Sequence, residues 1–78
     1  MTPQEKANYL ISLHSLTILS KIGHKLPMEE VKEIAKASAL LEVKAIIPIV
    51  EGYEEALDAS QRSDELQWWQ EVKKELEI

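Results

Sequence analysis

The sequence predicts an all-α protein, a small bundle of three helices in one domain spanning residues 1–78. Three observations carry that reading. Apolar residues recur at spacings of three and four through most of the chain. Proline and glycine fall where helices start and stop, at Pro3, Gly23 and Pro27. The one run that could form a strand, Ala45 to Val50, has no partner strand anywhere else in the chain.

The first helix is expected from Pro3 to about Ile22. Thr2 can cap it, Pro3 suits the first helical position, and Glu5 can complete a capping box. Gly23 supplies the left-handed residue that follows many helix ends, and Lys21 complements the dipole in the last turn. Pro27 opens the second helix, with Glu29, Glu30 and Glu33 near its positive end. Val31, Ile34, Ala35, Ser38, Leu41 and Ala45 trace its expected inner face.

Pro48 is the ambiguous position, because an interior proline removes a hydrogen bond and clashes with the carbonyl of Lys44, at about 3 kcal/mol. The surrounding Ile46, Ile47, Ile49 and Val50 contain no loop signal. The favoured reading is a kinked helix continuing to about Asp58, with a break near Pro48 as the alternative. A polar connector from Ala59 to Ser63 follows. Ser63 or Asp64 then caps the last helix, which aligns Leu66, Trp69, Val72 and Leu76.

Composition narrows the functional classes. Without cysteine, disulfides and thiolate metal sites are excluded. His14 and His24 share no metal-ligand spacing, so neither metal nor cofactor is expected. The net charge is −5; residues 51–78 hold nine acidic against three basic residues, whereas residues 1–50 are nearly balanced. An acidic surface disfavours phosphate backbones and anionic membranes, so no nucleic-acid or membrane partner is expected. With a polar N-terminal segment and no run of about 20 apolar residues, a cytoplasmic location is expected.

The chain carries more apolar surface than a bundle of this size can bury. Leu10, Leu13 and Leu16 face a different way from Ile11, Ile18 and Ile22 on the first helix. Leu40 to Val50 is apolar nearly all round. A three-helix chain of 78 residues cannot surround two such helices, so a homo-oligomer, a dimer or higher, is expected. Leu10, Leu13, Leu16, Leu40 and Ile47 are its expected interface residues.

Three segments resemble a set of short helical proteins from phages and prophages, of the kind found in Bacteroidetes-type hosts. They are Thr2-Pro3-Gln4-Glu5-Lys6-Ala7, the spaced set Ala35-Lys36, Ala39-Leu40, Val43 and Ile46-Ile47, and Trp68-Trp69-Gln70-Glu71-Val72-Lys73-Lys74-Glu75. The likeness covers about half the chain and rests on helix composition. This chain departs from it at Lys44-Ala45, where relatives often carry acids, and in a more apolar first helix. The resemblance transfers no activity or site; it implies a mobile-element origin and, by analogy, binding to a host or defence component.

The remaining constellations are modest. Lys21, His24 and Lys25, with Tyr9, are the candidates for an anionic metabolite or nucleotide signal held at a subunit interface. Against that, a helix C-terminus repels anions, and cations there are ordinary dipole complements. His14 lies among apolar residues, the usual setting of a hydrogen-bonded core histidine. Trp68 could anchor a protein partner, since tryptophan is favoured at binding hot spots, or it could pack against Tyr53 or across a dimer. Glu51, Glu54, Glu55 and Asp58 read as a solvated acidic face. No nucleophile–base pair, phosphate loop or metalloenzyme helix is recognisable, so no catalytic residue is assigned. The function expected is that of a non-enzymatic interaction protein, with small-ligand sequestration as the alternative.

Overall fold

A computed structural model describes residues 1–23, 25–61 and 63–78. Among the described residues three α-helices, α1 (Pro3–Ile22), α2 (Met28–Glu55) and α3 (Glu65–Glu77), follow one another, with a 3-10 turn at Ala59–Gln61 before the last. No strand occurs among the described residues.

The start of α1 forms as its sequence dictates. Thr2 Oγ1 accepts from the Glu5 N–H at 3.1 Å, and the Glu5 carboxylate accepts from the Thr2 N–H at 2.9 Å. Two otherwise orphaned donors are thereby satisfied. At the other end Gly23 takes φ +63°, a region that side chains disfavour, and its N–H closes on the Leu19 carbonyl. Pro27 stands one residue outside α2, at its N-cap, rather than opening it.

The chain remains helical through Pro48, so α2 is one 28-residue element that ends at Glu55, three residues short of the expected Asp58. Pro48 is exposed. Water can therefore take the carbonyl that the missing N–H leaves unpaired, which limits the penalty.

Packing explains which apolar residues turn inward. Val31, Ala35, Ala39 and Val43, four apart, are fully buried on α2, and Ala7 and Leu10 are buried on α1. Their small side chains let the two helices approach closely. Val72 and Leu76 of α3 complete a core with Ala7, Leu10, Ala39 and Val43, against which Ile11, Leu40, Ile47, Trp68 and Trp69 are packed. The expected inner face of α2 is corrected here: Ile34, Leu41 and Ala45 are exposed. A row with steps of four winds slowly round a helix, and burial follows it because α2 meets α1 along its first half and α3 along its second.

The three helices differ in length. At 1.5 Å per residue α2 is about 42 Å long, α1 about 30 Å and α3 about 20 Å. The third helix therefore covers only part of the hairpin. Val31 and Ala35 lie outside the three-helix core, in an arm made by α1 and α2 alone. The molecule is accordingly long, 51 × 19 × 17 Å. Its radius of gyration is 14.9 Å, against about 11.5 Å for a compact chain of this length.

The turn into α3 is tied by a buried carboxylate. Glu54, only 7% exposed, accepts from the Ser63 N–H at 3.2 Å and from its hydroxyl at 2.7 Å. Ser63 Oγ in turn accepts from the Glu65 N–H at 3.3 Å, so Ser63 and not the Asp64 side chain caps α3. The solvated acidic face expected at Glu51–Asp58 is thus wrong at Glu54. That residue continues the inward row Val43, Ile47, Val50, and Ser63 meets it there.

Candidate interaction surface

The two sides of the α1–α2 hairpin differ. On one side a cleft is lined by Asn8, Ile11 and Ser12 from α1 and by Glu29, Lys32, Glu33 and Lys36 from α2. Ile11 and Leu40, on this side, pack against the core that α3 completes. Residues two apart on a helix point about 200° away from each other. Leu13 therefore faces the opposite side from Ile11, Ile34 from Lys32, and Ser38 from both Lys36 and Leu40.

That opposite side is apolar and uncovered. Tyr9, Leu13 and Leu16 follow one another at spacings of four and three on α1, and Leu16 is 65% exposed. Ile34, Ser38, Leu41 and Ala45 do the same on α2, with Leu41 69% exposed and Ile49, one turn further on, 72%. Leucine and isoleucine at such exposure on one side of the hairpin make it the candidate interaction surface of the molecule.

A polar bridge crosses the seam between these two apolar rows. His14 Nδ1 lies 2.8 Å from Ser38 Oγ, and His14 Nε2 lies 2.8 Å from Glu42 Oε2. Glu42 can only accept while ionised, so Nε2 carries a proton in that contact. Ser38 then donates to Nδ1 of a neutral ring or accepts from Nδ1–H of a charged one. The connectivity is that of a nucleophile, a base and an orienting carboxylate. Ser38 sits in the middle of α2, however, where neighbouring backbone N–H groups are spent within the helix and offer no oxyanion donors. The bridge is therefore read as a structural contact at the seam.

The sequence-derived candidates fall in different places. Leu13 and Leu16 lie on the uncovered face. Leu10, expected at an interface, is buried in the core of the chain itself, because it shares an inward row with Ala7 and His14. Leu40 and Ile47 are half-buried on the side that α3 covers. Trp68, expected as a partner anchor, is half-buried too. Its indole N–H donates to the Met1 carbonyl at 3.3 Å, and its ring meets Trp69 edge-on at 5.1 Å, while Tyr53 stays exposed.

Tyr9 and Lys21 are twelve residues apart on α1, about 18 Å along its axis, and are not brought together. The Lys6 ammonium lies over the Tyr9 and Trp69 rings at 5.2 and 5.8 Å. Lys21 and Lys25 are exposed at the far end of the hairpin, and His24 lies outside the described residues. Among the described residues no three metal-ligating side chains gather, and no helix is long and apolar enough to cross a membrane.

Two features escaped sequence reasoning, the bridge and the buried Glu54. Ser38 and Glu42 stand four apart, and a hairpin turning near residue 25 brings position 14 opposite the high thirties, which is the signal that would have found the first. Comparison with protein-family models, curated proteins and solved structures found no match.

Proposed function

We propose that the chain is a non-enzymatic interaction protein that works as a homodimer, joined through the face of α1 and α2 opposite α3. The observation that carries this is surface area. A folded monomer of 8.9 kDa exposes about 4,800 Å², whereas this chain exposes 5622 Å². The excess of about 800 Å² is close to what each partner buries in a stable interface. Leu13, Leu16, Ile34 and Leu41 meet solvent on the side of the hairpin that α3 leaves open. A symmetric pairing would cover the same patch on both copies.

The surface left after pairing is available to a second protein, and the resemblance to small phage proteins suggests its class, a host or defence component. Sequestration of an anionic ligand is less well supported, since Tyr9 stands apart from Lys21 and Lys25.

Light scattering tests the reading directly. A solution mass of about 18 kDa is expected, falling to that of one chain when Leu16 and Leu41 are both replaced by serine. A single-chain mass for the unaltered protein at high concentration would refute it.

A further inference from the structure

We infer that self-association is linked to protonation of His14, the partner being a second copy of this chain. The inference rests on the dimer reading above and specifies how that interface is regulated. Leu13 on α1 and Ile34 and Leu41 on α2 flank the His14–Ser38–Glu42 bridge on the exposed face, so a partner that covers them also covers the bridge. In one copy the side chains of His14 and Glu42 are still 25% and 46% exposed, and water solvates whatever charge they carry.

Covering the bridge changes which charge state is favoured. With a neutral imidazole, the Glu42 carboxylate leaves an unbalanced negative charge at each half of the interface, and desolvating it is unfavourable. With an imidazolium, the pair is neutral and its hydrogen bond is charge-assisted. Ser38 suits both states, because its hydroxyl can donate to Nδ1 or accept from Nδ1–H. Among the described residues no compensating charge is at hand. From α2 the facing ionisable group is Glu42, from α1 itself Lys21 lies two turns along, and among the described residues α3 places none within ion-pair distance of His14.

The dimer therefore holds a proton at His14 that the separate chain releases more readily. Association is at full strength on the acid side of the ordinary histidine range and weakens as pH rises through it. Each copy carries −5, and general repulsion also relaxes as pH falls, so the effect has to be separated from that background.

Sedimentation equilibrium at about 0.5 M salt, where surface charges are screened, gives the dissociation constant at about pH 5.5 and about pH 8. The unaltered chain should associate at least about tenfold more tightly at the lower pH. His14→Gln and Glu42→Gln should each flatten that dependence. A dimer whose affinity does not change with pH, or one whose pH response survives in both variants, overturns the protonation link and leaves the dimer intact. A chain that stays single at every pH overturns the dimer reading and this inference with it.

Discussion

The two ends of the hairpin are built from the same pair of helices and hold together differently. Where α3 is present, Leu76 and Val72 close a core in which Ala7, Leu10, Ala39 and Val43 lose nearly all contact with water. Where α3 is absent, Val31 and Ala35 are just as buried, but only because small side chains let α1 and α2 meet closely. One end is stabilised by a third layer within the chain. The other has a tight seam and an uncovered flank, which is the flank a second copy is proposed to cover.

The sharpest way to break this contrast is Leu76→Ala. It removes the largest fully buried side chain at the three-helix end and should destabilise the chain by about 2–5 kcal/mol. In a domain of this size that approaches the whole stability, and the denaturant midpoint should collapse. If the loss were small, α3 would be an accessory and the two ends would not differ.

Next in size is Glu54→Ala, which strips the Ser63 N–H and hydroxyl of their acceptor at the entry to α3. A loss of about 1–3 kcal/mol is expected, with Glu54→Gln, which keeps an acceptor oxygen, losing less. Hydrogen exchange should show faster opening in α3 than in the arm for both variants.

On the uncovered face the expectation reverses. Ile34→Ser or Leu41→Ser should change the stability of a single chain by no more than about 0.5 kcal/mol. It should also abolish the rise of the melting temperature with protein concentration that a dimer confers. Equal destabilisation at all concentrations would place these residues in the subunit's fold instead.

The smallest effect is at the capping box. The Thr2 N–H, and after it the Thr2 hydroxyl, hold the fully exposed Glu5 carboxyl below its ordinary value of 4.5. A carboxyl so lowered stabilises the folded state above its unfolded pKa, and that contribution fades as pH falls through the folded one. Glu5→Gln should lower stability slightly at neutral pH and leave the acid end, below about pH 4.5, nearly unchanged, so the curve between them flattens.

Much of the fold was legible because its signals are local. Thr2, Pro3 and Glu5 define the start of α1 by themselves, and Gly23 defines its end. The inner row of α2 was not, since Ile34 and Leu41 fit a helical stripe as well as Val31, Ala35, Ala39 and Val43 do. Only the position of α1 and α3 decides between the two rows. Leu10 was misplaced for the same reason, and Glu54 because a carboxylate is read as solvated until a partner such as Ser63 is known. The apolar excess was visible from composition, whereas its location on one face depended on which side of the hairpin the short α3 takes.

That shortness also has a kinetic side. The α1–α2 hairpin closes across a short turn and is made by the first 55 residues, so its contacts are local and quick to form. During synthesis the residues of the hairpin leave the ribosome before those of α3, and α3 needs only to fold back along the end nearest to it. The expected sequence is a rapid hairpin followed by a later clasp. For that interval both flanks of the hairpin are open, and the order in which α3 and a second copy arrive decides which flank is taken first.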